Sequence, residues 1–196
     1  MRVTNDACVT DGFQAITSLS RALGGGMELT DVGSLLWVVL GQMVPCDAMT
    51  LFIPDTLDGA GGHVVVRYAA GAHAEKLVGL RRPMGAGIAG WAAANRRSVV
   101  NAEPIFDLAF RVDSAPSLRS SVAVPLVDNG SVVAVLVLYS KDLLAFTDEQ
   151  ASMLELLGPR IAVSLADAAE PQIAPAPICD QPRKLRLVLR APTTVD

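Results

Sequence analysis

Two histidines and three cysteines are all that 196 residues offer a transition metal, and Cys8, Cys46 and Cys179 form no C-x-x-C pair. The usual zinc patterns are therefore missing, and an odd cysteine count fits a reducing compartment. Charge is also scarce: 18% of residues are charged, and the net charge is -4. Such a balance repels phosphate backbones, which argues against nucleic acid as the main partner. Long apolar runs are absent as well. The longest, Val132 to Tyr139, falls far short of the roughly 20 residues a membrane-spanning helix needs. Met1 to Phe13 has one arginine and no apolar core of the secretory kind, so the expected location is the cytoplasm, with no membrane partner. What the chain does have is apolar residues, 51% of the total. That is too apolar for disorder throughout, and the length suits one domain of ordinary size with a tail.

Periodicity organises that apolar content. Phe13, Ile16, Ser20 and Leu23 sit at helical spacing ahead of Gly24-Gly25-Gly26, predicting a helix over 11–23. Val32, Leu35, Leu36, Val39, Leu40 and Met43 predict a second helix, with Thr30 as its N-cap and Pro45 beyond its end. Strand-like runs follow at 48–53 and 63–70, separated by a turn-rich stretch. A short third strand is expected near 79–82, an Ala-rich helix at 88–95 and another strand at 98–100. Residues 101–117 read as a long loop containing one helical turn. Two more strands, 120–126 and 132–139, flank Asp128-Asn129-Gly130, a tight hairpin signal. Thr147-Asp148-Glu149-Gln150 is a capping box that opens a helix to about Ala168, with Pro159 inside it. Pro171, Pro175, Pro177 and Pro182 end regular structure, and a basic alternation from Lys184 to Arg190 closes the chain. The predicted organisation is a flexible start at 1–10, a domain at 11–168 and a Pro-rich, basic tail at 169–196. This order of elements implies an α+β fold, a mainly antiparallel sheet with helices packed on it.

Six segments, in order, carry a resemblance to a known family: Val44-Pro45-Cys46-Asp47-Ala48, Tyr68-Ala69-Ala70-Gly71, Pro83 to Ala93 around Gly85-Ala86-Gly87, Ser98-Val99-Val100-Asn101, Leu118 to Leu126, and Phe146-Thr147-Asp148-Glu149. Over roughly residues 11–168 the chain resembles the GAF domain family. The resemblance implies an antiparallel sheet with the terminal helices on one face and a loop-roofed ligand pocket on the other. It implies a sensory or regulatory domain of bacterial signal transduction, binding a small molecule and pairing as a homodimer through the terminal helices. A dimer seam is expected through Phe13, Ile16, Leu36, Leu40, Leu154 and Ile161. No effector module is visible in the chain, so an effector acts in trans or the chain is a piece of a longer protein.

The candidate ligand-binding residues follow from that resemblance and from their chemistry. Phe106 and Phe110 lie in the loop expected to roof the pocket, together with Asp107 and Arg111, and loops on a rigid scaffold are where binding concentrates. Arg119 precedes Ser120 and Ser121 at the start of a strand expected beneath the pocket. A guanidinium beside hydroxyls suits a carboxylate or phosphate. Tyr68 is expected in the pocket floor. The plain alternatives are that Phe106 and Phe110 pin the loop to the core and that Arg119 is a solvated partner of Asp113 or Glu103.

Other chemistries meet weaker support. Gly85, Gly87 and Gly90 match G-x-G-x-x-G, but no βαβ unit surrounds them, so a close-packed strand-to-helix turn is expected rather than a dinucleotide site. The Asn-Lys and Phe-x-x-x-Asp-Glu motif of cyclic-nucleotide-binding members is not met, since Ser140-Lys141 replaces the pair. No cysteine between Asp47 and Ile178 could anchor a bilin. His63 and His73 leave haem ligation open, and the cofactor is unknown. A reductase of free methionine sulfoxide would need a nucleophilic cysteine with a resolving partner. Cys46 is the only candidate inside the domain and reads as structural, so the expectation is a protein that is not an enzyme. A ligand-free dimerisation scaffold is the third reading.

Overall fold

The computed structural model describes residues 27–55, 62–108 and 118–169. Five helices and six strands are described: α1 (Leu29–Met43), β1 (Ala48–Asp55), β2 (His63–Gly71), α2 (Ala74–Leu77), β3 (Arg81–Pro83), α3 (Gly87–Asn95), β4 (Val99–Ala102), α4 (Ile105–Leu108), β5 (Ser120–Asp128), β6 (Ser131–Ser140) and α5 (Asp148–Ala169). The strands form one sheet in the order β3-β2-β1-β6-β5-β4, antiparallel at every neighbouring pair. The fold is α+β, as the order of elements implies. The predicted segments 1–10 and 11–23, and all of the tail but Ala169, lie outside the described residues.

The sheet centre explains why its strands read as continuous apolar runs. β1 and β6 are covered on both faces, so residues of either parity are buried, and alternation fades where neither face meets water. On the first face α1 and α5 cover Met49, Leu51, Val122, Val124, Leu136 and Leu138. On the second face α2, α3 and α4 cover Ala48, Phe52, Ala123, Val135, Val137 and Tyr139. The β5–β6 hairpin turns on Asn129 and Gly130, with φ of 46° and 78°, the left-handed pair that matches the twist of the strands. At the start of α5 the backbone N–H of Thr147 donates to Gln150 Oε1 (3.0 Å) and that of Gln150 donates to Thr147 Oγ1 (3.2 Å). Both arms of the expected capping box are present.

Several boundaries differ from expectation. The N-cap of α1 is Glu28, not Thr30. Leu29 packs against the first-face core, which carries the helix start back past Thr30, whose carbonyl instead accepts from Ser34 Oγ at 2.7 Å. The third strand begins at Arg81 because Gly79, at φ 79°, breaks extended backbone there. The short helix α2 had no counterpart among the expected elements. Of the expected dimer seam, Leu36, Leu40, Leu154 and Ile161 are fully buried within the subunit, while Phe13 and Ile16 lie outside the described residues. The described part of that stripe is core, because the first sheet face is broad enough to cover it.

Candidate functional site

On the second face, a buried row of polar side chains interrupts an otherwise apolar core. β1 and β6 pair so that Ala48 faces Tyr139, and β5 and β6 pair so that Ser121 faces Tyr139. Ala48, Tyr139 and Ser121 therefore form a line across three strands on one face. Thr50, Ser121, Tyr139 and Asp107 are all 0% exposed. Buried polar groups need partners, and each finds one. Thr50 Oγ1 donates to the Tyr139 hydroxyl at 3.4 Å. Ser121 Oγ donates to the Ala102 carbonyl at 3.0 Å, across the register shift between β4 and β5.

Asp107 projects inward from α4. Its two carboxylate oxygens accept the backbone N–H groups of Ile88 (2.9 Å) and Ala89 (3.1 Å) at the first turn of α3. Those are orphan donors with the helix's positive end behind them. Arg82, reaching from β3, places Nε 3.7 Å from Asp107 Oδ1, and one of its terminal nitrogens donates to the Asp107 backbone carbonyl. Gly87 makes this possible. Its φ is 67°, and a Cβ there would overlap Asp107 Oδ1, so a side chain would both strain the backbone and expel the carboxylate.

Burial pushes the Asp107 carboxyl above the usual carboxylate value, while the Ile88 and Ala89 amides and the Arg82 charge pull it back only in part. Burial likewise raises the Tyr139 hydroxyl, and the Asp107 charge raises it further. The site is thus a desolvated, packed cluster of charge and hydroxyls in which the fold tolerates one carboxylate by surrounding it with donors.

The sequence-derived candidates scatter over this architecture. Ser121 lies in the buried row. Arg119, exposed, stands two residues before it at the strand entry, where its backbone N–H donates to Ser140 O at 2.7 Å. Phe106 is on α4 and 65% exposed, with its neighbour Asp107 turned inward. Phe110 lies outside the described residues. Tyr68 is on the opposite face: its ring stacks where a Cβ of Gly33 in α1 would be, and its hydroxyl donates to Ser34 Oγ at 3.2 Å. The structure therefore brings Ser121, Arg119 and α4 to one face and leaves Tyr68 on the other.

Thr50, Arg82 and Tyr139 escape the sequence reading. Tyr139 and Thr50 sit inside apolar runs and read as core, and nothing in local spacing pairs Arg82 with Asp107. The glycines behave as the expected tight turn: a Cβ at Gly90 would overlap the Pro83 carbonyl. A shallow depression bounded by Arg96, Arg97, Ser98, Pro125, Val127 and Glu155 shares no residue with the buried row. Cys46 is partly exposed, and its thiol is pushed up to about 11 by burial and then by the Asp47 charge.

Comparison with known proteins agrees on architecture. The profile of the GAF domain matches residues 30–166. The GAF domain of an Acinetobacter phosphoenolpyruvate-protein phosphotransferase superposes with a TM-score of 0.65 at 16% identity, covering 85% of this chain and 96% of that one. The corresponding domain from Coxiella burnetii gives 0.63 at 21% identity, covering 81% and 95%. The free methionine-R-sulfoxide reductase of Neisseria meningitidis, solved with its substrate, gives 0.60 at 20% identity, covering 86% and 95%. No curated protein matches the sequence. At these identities the solved structures share a fold with this chain.

Proposed function

The chain belongs to the GAF domain family, and from that premise we propose that it is a non-catalytic regulatory domain whose second sheet face senses a small anionic metabolite. The observation that carries this reading is the buried polar row, Thr50, Tyr139 and Ser121, on the face away from the terminal helices, beneath α3 and the α4 turn packed on it. An apolar core needs no such row, because each buried hydroxyl must be matched with a partner against its lost hydration. Ligand pockets combine an apolar lining with a few convergent polar groups in this manner.

Arg119 at the entry to β5 meets the ligand's charge and Ser121 offers its hydroxyl, while the Phe106 ring, 65% exposed, points away from the buried row and is left out of the site. Tyr68 is left out of the site because it serves the α1 interface. The signal leaves through α1 and α5, whose outer surfaces expose Val38, Leu156 and Val163, to a second copy or to an effector in trans. The reductase reading has the Neisseria meningitidis neighbour in its favour. Against it stands Cys46, whose raised thiol holds little of the thiolate that nucleophilic chemistry requires.

The test is a thermal-shift screen over nucleotides, amino acids, keto acids and aromatic acids. A ligand at about 100 times its dissociation constant stabilises the native state by roughly 2.7 kcal/mol. A domain of this size gains roughly 2–4 °C per kcal/mol, so a rise of about 5–11 °C is expected, and Arg119→Ala should abolish it. A shift that survives in the variant removes Arg119 from the site. No shift with any class favours the ligand-free scaffold.

A further inference from the structure

Among the described residues, 103–108 form a flap held on the protein by its inward residues and by the Phe106 carbonyl, which lies against Gly87. One helical turn places Pro104, Asp107 and Leu108 inward, all buried, and Ile105 and Phe106 outward at 60% and 65% exposure. Its own backbone bonds are local: Asp107 N and Leu108 N donate to the Pro104 carbonyl at 3.0 and 2.9 Å, and Phe106 N to Glu103 O at 3.3 Å. None of these ties the turn to the rest of the molecule. The attachment runs through Asp107, by its carboxylate to the Ile88 and Ala89 amides and by its carbonyl to Arg82, with Leu108 seated in the second-face core.

We propose that Asp107 is a releasable latch, closing α4 over the second face when its carboxylate occupies the first turn of α3 and opening that face when it leaves. The geometry suits release as well as closure. Every partner of the carboxylate lies outside its own element: two amides on α3 and the Arg82 guanidinium on β3, with the Tyr139 hydroxyl as the further titratable group near enough to feel its charge. One side-chain rotation therefore severs the carboxylate's contacts at once and leaves only the Arg82 bond to the Asp107 carbonyl as a polar tether. The carboxylate is also fully dehydrated while latched, and opening returns it to water, so part of the cost of breaking the bonds is recovered by hydration. The raised Asp107 carboxyl reports the same penalty. Use of the latch in regulation rests on the second face being the ligand seat; the latch itself does not.

Hydrogen exchange of the full-length protein without ligand, read by mass spectrometry, tests this. In Asp107→Ala, amides of 105–108 and of Ile88 and Ala89 should exchange at least about tenfold faster, as expected when charge-assisted hydrogen bonds holding a local unit are removed. Amides of β1, β5 and β6 should exchange as in the unmodified chain. Arg82→Gln cuts the second tether and leaves the α3 bonds in place, so it should speed exchange at 105–108 while sparing Ile88 and Ala89. It also keeps the question open to measurement should Asp107→Ala fail to fold. Exchange that rises evenly across the sheet, or does not rise at 105–108 in either variant, overturns the latch. Because no ligand is present, that result leaves the metabolite reading to stand or fall on its own screen.

Discussion

Cys46 is the residue on which a reductase reading of this chain would turn. A redox enzyme needs a thiolate at neutral pH, and thiolate is favoured by nearby positive charge or a helix N-terminus. Among the described residues Cys46 has neither. Burial and the neighbouring Asp47 charge both disfavour its ionised form and raise it to about 11. Lys141, the cation beside Asp47, is committed to that carboxylate, which accepts its backbone N–H at 2.8 Å and its ammonium at 3.0 Å. At pH 7.5, iodoacetamide should alkylate Cys46 roughly two orders of magnitude more slowly than a free cysteine of pKa about 8.5, as followed by peptide mapping. Alkylation at the free-thiol rate, or methionine sulfoxide turnover that Cys46→Ser abolishes, would return the enzyme reading to the front.

Elements were legible wherever their signal was local. The stripe of Val32, Leu36 and Leu40 specifies α1 because each of those side chains meets the first sheet face. The Asn129-Gly130 turn and the Thr147 capping box each work within four residues. Boundaries slipped where a tertiary contact decided them, as Leu29 shows at the start of α1, and α2 went unseen because a four-residue helix carries no periodic signal. The capping box also gives a stability prediction. Thr147→Ala leaves the Gln150 N–H without its partner and should cost about 1 kcal/mol, lowering Tm by roughly 2–4 °C. Thr147→Ser keeps the oxygen and should stay near the parent. Equal losses in the two variants would show that the Thr147 methyl, not the cap, carries the effect.

The site was legible only at the scale of the whole molecule. Order and resemblance grouped Ser121, Phe106 and Arg119 with Tyr68, which the structure puts on the opposite face, against α1. Tyr139 could not be told from core, since its role depends on Ser121 across the β5–β6 hairpin and on Ala48, far away in sequence, arriving on its other side. Arg82 meets Asp107 only because β3 and α4 both close on α3.

Two carboxylates, Asp47 paired with Lys141 and Asp107 buried at α3, act in opposite senses on global stability. Asp47 is held below its ordinary 3.8, first by the Lys141 backbone N–H and also by the Lys141 ammonium. Its contribution is present above the unfolded value and lost as pH falls through the folded one. Asp107 is raised, chiefly by burial, so its contribution is present below the unfolded value and lost as pH rises through the folded one. Replacing each by asparagine removes one dependence at a time. Denaturant unfolding followed from pH 3 to pH 8 should show the stability of Asp47→Asn falling further behind the parent as pH rises through the acid range. Over the interval above 3.8 the stability of Asp107→Asn relative to the parent should move the other way, improving as pH rises whatever constant offset the lost hydrogen bond imposes. Opposite slopes are the signature, because an offset shifts a curve without tilting it. Parallel slopes would mean that the donors around Asp107 outweigh its burial, and that the carboxylate is held in place more firmly than a releasable latch allows.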